Sequence, residues 1–260
     1  GFGGISVGGM VNNRRAFGAL LPAVDHLRTT YDRDKQAFSI GEPEWGAELA
    51  DELERLVAFH DASTIAAVIV EPVAGSTGCL PPPKGYLEKL RAITSAHGIP
   101  LIFDEVITAF GRLGHAFAAE RYGIVPDMIA FAKGVTNGAV PMSGVVVRTG
   151  IYDTLMQGAG HMALEDRPLH EVELFHGYTN SGHPLAAAAA LAALDVYREE
   201  ELFARARDLE AGFAARMMSL RSSPHVADIR PVGLMCGIDL ASRPGAAGAR
   251  GMEVTVRAFH

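Results

Sequence analysis

Three short apolar runs, each closed by an ionisable residue, constrain this chain more than any other feature. Thr64 to Val70 is apolar or β-branched throughout and stops at Glu71-Pro72. Pro100 to Phe103 stops at Asp104-Glu105, and Met128 to Ala132 stops at Lys133. Runs this short without polar alternation read as strands buried on both faces. A fourth, Ser143 to Val147, follows Pro141. Between the first two lies a helical pattern from Gly85 to His97, with Leu87, Leu90, Ile93 and Thr94 on one side and Gly98 to close it. Strands alternating with helices describe an α/β chain: a mostly parallel central sheet with helices on both faces. Such sheets bind ligands beyond the carboxyl ends of their strands. Glu71, Asp104 and Lys133 all stand at such ends.

Composition narrows the class without naming a partner. With 260 residues, 48% hydrophobic and 20% charged, the chain can bury a substantial core and is unlike a disordered one. A net charge of -7 and no dense Lys/Arg stripe argue against nucleic acid. Cys79 and Cys236 are the only cysteines, too few for a disulfide framework or a zinc site, which favours a reducing cytoplasm. No apolar run reaches membrane-spanning length, and the Gly-rich opening lacks the order of a signal peptide. Both ends fall inside apparent structure, so the expectation is a portion of a longer protein.

Residues 1–42 read as mostly irregular. A helix is expected after Glu42-Pro43, with Trp45, Leu49, Leu53, Leu56 and Val57 inward and an acidic, solvated outer face. Residues 150–175 form a long connection holding His161, Glu165, Asp166, Arg167 and His170. Pro184 opens an Ala-rich helix to about Glu200, expected to pack as core, and a second helix covers Glu201 to Leu220. Val226–Ile229 and Leu234–Leu240 read as strands of a smaller domain, with Gly233 and Gly237 as interruptions. Met252–Phe259 has no assignment. The expected division is a large domain over 1–220 and the start of a small C-terminal α/β domain over 221–260.

Of the candidate groups, Lys133 is the most telling. A lysine closing a buried strand is costly unless used, and partial desolvation would make its amine nucleophilic toward an aldehyde. Residue type alone leaves open a lysine that snorkels to the surface. Asp104, one βα unit earlier, suits the protonated nitrogen of a pyridine ring, or else a helix cap. An acidic strand of a nucleotide hydrolase would need a GxxxxGK(S/T) loop, which is absent. His176 and His183 lack metal-ligand spacing, so local structural roles are expected and no metal. Thr179, before the Pro184 helix, is a cap or a phosphate ligand.

Together the stretches "VIVEPVAGSTG" (68–78), "LIFDEVITAFGRLG" (101–114), "PDMIAFAKGVTNGAVPMSG" (126–144) and "FHGYTNSGHPLAAAAALA" (175–192) resemble the class III, or ω-, aminotransferases of fold type I. "GEPEWGAELADELERL" (41–56) and "EPVAGSTG" look most like the β-alanine:pyruvate branch. The resemblance covers nearly the whole chain. It implies the PLP-dependent transferase fold and pyridoxal 5'-phosphate (PLP) as cofactor. It also implies transfer of a terminal amino group from an ω-amino acid such as β-alanine, or an amine, to pyruvate. Lys133 would carry the cofactor and shuttle the proton, Asp104 would pair with the ring nitrogen and Val106 would pack on the ring. Glu71 would join the surrounding hydrogen-bonded shell. Thr179 would bind the cofactor phosphate of the neighbouring subunit, implying a homodimer or a dimer of dimers with the site at the interface.

The departures are specific. Ser76 replaces a Glu common in the family, in keeping with the β-alanine:pyruvate branch and against the ornithine/GABA type. Ala109 replaces a usual Gly, and Asn180 a usual aromatic. The family's upstream Gly-Ser phosphate loop, its stacking aromatic and its downstream substrate arginine are expected outside residues 1–260, so these residues alone would hold PLP poorly. The same scaffold also serves aminomutases and racemases, and a catalytically inactive chain is the non-enzyme alternative.

Overall fold

The computed structural model describes residues 1–159 and 178–259. Along the chain run α1 (Phe2–Val7), α2 (Val11–Arg14), α3 (Arg33–Gln36), α4 (Glu52–His60), β1 (Val68–Val70), α5 (Tyr86–Ala96), β2 (Leu101–Asp104), α6 (Ala118–Tyr122), β3 (Met128–Phe131), β4 (Gly144–Val147) and α7 (Thr149–Ala159). There follow α8 (Pro184–Glu199), α9 (Leu202–Met218), β5 (Val226–Val232), β6 (Met235–Leu240) and α10 (Ala249–Ala258). These elements fall into two compact units. One comprises Gly1–Ile65, Val73–His97 and Gly212–His260; the other comprises Ala66–Pro72 and Gly98–Ala211. The expected connection at 150–175 is helical from Thr149 to Ala159. Its His161, Glu165, Asp166, Arg167 and His170, like His176, lie outside the described residues. Among the described residues no helix is long and apolar enough to cross a membrane.

The second unit carries a mixed sheet in the order β1-β2-β3-β4, the first three parallel and β4 antiparallel to β3. Leu101 and Phe103 of β2 are fully buried, as the apolar run predicts for a central strand. β1 departs from that expectation. It is three residues long, and Ile69 is 44% exposed on this chain. Its expected start is lost to a 3₁₀ turn, Ala62–Thr64, where Asp61 accepts from Ser63 N and Thr64 Oγ1 bonds back to His60 O. The Ala-rich α8 forms as expected, with Ala186 and Ala190 buried. Leu185 and Leu191 stay exposed, so on this chain only one stripe of α8 is core.

In the first unit α5 buries the face its spacing predicts, Leu87, Leu90, Ile93 and Thr94, and Gly98 follows with φ +66°. The helix expected after Pro43 starts later. Gly46 takes φ +121°, a Cβ there would lie 2.7 Å from the Pro83 ring, and a 3₁₀ turn at Ala47–Asp51 precedes α4. Leu49, Leu53 and Val57 still point inward, while Asp51 and Glu54 pair with Lys89 and His97 at the surface. β5 and β6 form an antiparallel hairpin, turning at Gly233. Gly237, inside β6, permits a close crossing: a Cβ there would sit 2.1 Å from Gly78 O. The unassigned tail is α10, opened by Gly248 at φ +76°. Residues 1–42 are mostly irregular, as expected, apart from three helices of four to six residues, too short to leave a periodic signal.

Candidate active site

Strand register gathers the predicted groups at one end of the sheet. Val70 pairs with Phe103, and Asp104 pairs with Ala130, so Glu71, Asp104 and Ala130 share one row at the carboxyl edge. Lys133 follows three residues after Ala130 and opens a 3₁₀ turn, Lys133–Thr136. Asp104 is half-buried, and its Oδ1 accepts from Val106 N at 3.1 Å. Glu71 is half-buried and engaged within the protein. Thr179 and Asn180 stand on an exposed turn closed by Ser181 N donating to Tyr178 O at 3.0 Å.

The four lysines sort themselves. Lys35, Lys84 and Lys89 each pair with a carboxylate, Asp32, Glu44 and Asp51 respectively. Lys133 has no carboxylate partner among the described residues. It is exposed on this chain, the surface placement that residue type leaves open, since the strand ends at Phe131 and the turn carries the lysine clear. An amine without a carboxylate partner among the described residues and a carboxylate with one oxygen committed thus stand beyond the carboxyl ends of neighbouring parallel strands.

Glu105 is the buried neighbour of Asp104 whose structural part sequence reasoning passed over. It is fully buried, its N–H donates to Ala130 O at 2.8 Å, and its carboxylate accepts from Thr108 Oγ1, Ala118 N and Ala119 N. Burial pushes the carboxyl above its ordinary range, while those three donors pull the other way. Glu105 thereby caps α6 and holds the loop carrying Val106 onto β2. The adjoining "Asp-Glu" pair was the available signal, but only burial shows which acid faces inward. Glu105→Gln places an amide N–H against backbone donors and is expected to destabilise by about 2–3 kcal/mol. A denaturant titration of the full-length variant checks this. Ala109 is buried with φ outside the left-handed region, so nothing there demands the usual glycine. His183 has the local role expected: its Nδ1 accepts from Ala186 N at 3.4 Å at the start of α8.

The sequence matches the family Aminotransferase class-III over residues 2–258. The chain belongs to that family. An omega-aminotransferase of Caulobacter vibrioides is 59% identical over 259 residues, covering 100% of this chain and 57% of that protein. A beta-alanine–pyruvate aminotransferase of Pseudomonas aeruginosa is 48% identical over 257 residues, covering 98% and 54%. This class III chain thus spans about half the length of the curated relatives it matches. Among solved structures, a PLP-bound amine transaminase from an uncultivated Pseudomonas species superposes with a TM-score of 0.79 at 34% identity, covering 94% of this chain and 53% of that one. The expected α/β transferase fold of type I is therefore the fold of this class III member.

Proposed function

We propose that the full-length protein is a PLP-dependent aminotransferase. In this reading it moves the terminal amino group of an ω-amino acid such as β-alanine to pyruvate, giving the semialdehyde and alanine. The observation that carries the reading is the placement of Asp104 and Lys133 at the carboxyl ends of adjacent parallel strands. It occurs in a chain 48% identical to a beta-alanine–pyruvate aminotransferase. PLP, when bound, supplies the electron sink that makes the substrate carbon acidic. Lys133 Nζ anchors the cofactor and then takes and returns the proton at that carbon. Asp104, with Oδ1 committed to Val106 N, holds the proton on the ring nitrogen and keeps that charge fixed. Val106 packs on the ring, and Glu71 belongs to the polar shell beside Asp104.

Thr179 serves the cofactor phosphate of the neighbouring subunit, so the working unit is a homodimer or a dimer of dimers. The large domain (1–220), the start of a small one (221–260) and a cytoplasmic location belong to the same proposal. An absorption spectrum of the full-length protein with PLP tests it. β-Alanine is expected to bleach the visible cofactor band and pyruvate to restore it. A band indifferent to β-alanine removes the donor assignment, and turnover without any keto-acid acceptor favours an aminomutase or racemase.

A further inference from the structure

The turn that presents Lys133 is held in an unfavourable backbone conformation. Lys133 has φ +49°, a region that costs a residue with such a side chain on the order of 1 kcal/mol, and Asn137, a type that tolerates it, has φ +50°. Its internal bonds are modest: Asn137 N to Gly134 O at 3.0 Å and Gly138 N to Lys133 O at 3.2 Å. What fixes it comes from two other elements. Tyr197, near the end of α8, donates its hydroxyl to Gly134 O at 2.7 Å. On the other side Phe110 fills the space a side chain at residue 134 would need, its Cβ 2.7 Å from where a Cβ would stand. The Tyr197 ring lies stacked between Phe110, at 6.2 Å and 20°, and Phe203, at 5.4 Å and 29°. Phe110 belongs to the loop that starts at Asp104, and it too is left-handed, at φ +61°.

We infer that Tyr197 is a positioning residue for Lys133, setting the angle of the lysine through the Gly134 carbonyl while its stacked ring ties that turn to the Asp104 loop. The inference rests on the reading of Lys133 as the cofactor lysine. A carbonyl released from Tyr197 keeps only its bond to Asn137, and the turn gains freedom at the residue whose amine must reach a fixed atom. Small misplacements of such a group cost rate without costing substrate affinity. Burial raises the Tyr197 hydroxyl above its ordinary range, with the Arg112 charge opposing, so it stays a donor throughout the working pH range.

Tyr197→Phe in the full-length holoenzyme tests the inference, because it keeps the stack and removes only the donor. The expected result is a fall in kcat of about five- to tenfold with KM for the amine within about twofold, as for one lost hydrogen bond acting on the transition state. The visible band of the bound cofactor is expected to titrate with its midpoint displaced by about half a pH unit or more. Phe203→Leu loosens the other face of the ring without touching the Gly134 carbonyl, so it is expected to lower stability and leave the band titration in place. An unchanged titration in Tyr197→Phe overturns the inference. So does the same displacement in Phe203→Leu, which would make the effect one of general packing. Failure of the underlying reading looks different: the band would persist in Lys133→Ala, and the inference would fall with it.

Discussion

Lys133→Ala in the full-length protein is expected to reduce turnover by on the order of 10⁴-fold or more while leaving the unfolding midpoint of the cofactor-free protein close to that of the parent. The size of the loss follows from the chemistry asked of one amine, which both anchors the cofactor and moves the substrate proton. No other lysine of the chain can substitute: Lys35, Lys84 and Lys89 all belong to the first unit and are engaged with Asp32, Glu44 and Asp51. Stability is spared because Lys133 is exposed and makes no ion pair among the described residues. Alanine keeps the Cβ, so the backbone cost of φ +49° is the same in both proteins. A steady-state assay with β-alanine and pyruvate, paired with a thermal scan, reads both halves. Turnover within tenfold of the parent would move the cofactor lysine elsewhere.

The second large effect is on folding and lies far from the chemistry. Arg230, on β5, has a guanidinium almost wholly removed from water. It donates to Asp228, to both oxygens of Asp239 at 2.9 and 3.0 Å, to Gly78 O at 2.8 Å and to Cys79 O at 3.3 Å. Tyr31 stacks on it, ring centroid 4.5 Å from Cζ, and gives its hydroxyl proton to Asp228 at 2.8 Å. Asp228 is fully buried and also takes the Phe38 and Ile229 N–H groups. Arg230→Ala strands that carboxylate without its cation and is expected to cost about 3–5 kcal/mol. Removing Asp228 as well should return part of the loss, since much of it is the penalty of the unpaired charge. Denaturant titrations of the single and double variants decide this; an additive double variant would contradict it.

The same cluster fixes one sign of the pH dependence. Burial alone would raise the Asp239 carboxyl, but the hydrogen bonds and charge of Arg230 hold it below its ordinary value near 3.8. Its contribution is therefore complete above that value and is lost as the pH falls through the lower, folded one.

Most of what places the candidate site could be read from residue patterns. The apolar runs ending at Asp104 and Lys133 located two strands within a residue of their observed ends, because a buried strand leaves no choice of residue type. What stayed hidden depends on neighbours far along the chain. β1 is shorter than its apolar run, because Asp61 and Thr64 bond locally in a turn that residue type alone does not report. Asp228 and Arg230, two apart on a strand, share a face, yet only the fold brings Tyr31 and Asp239 to them. Tyr197 sits in an Ala-rich helix as one aromatic among many candidates, and its partner is the carbonyl of a glycine, which carries no sequence signal. Lys133, which residue type leaves open to snorkel to the surface, is exposed on this chain, and its strand ends at Phe131, one residue before the apolar run does.

The most direct test of the cofactor assignment is chemical. Full-length protein loaded with PLP is reduced with borohydride, digested with trypsin and mapped by mass. The account predicts one modified peptide spanning residues 122–148, uncut at Lys133 and carrying the mass of the reduced cofactor. A cofactor mass on any other peptide, with 122–133 and 134–148 released unmodified, would contradict it.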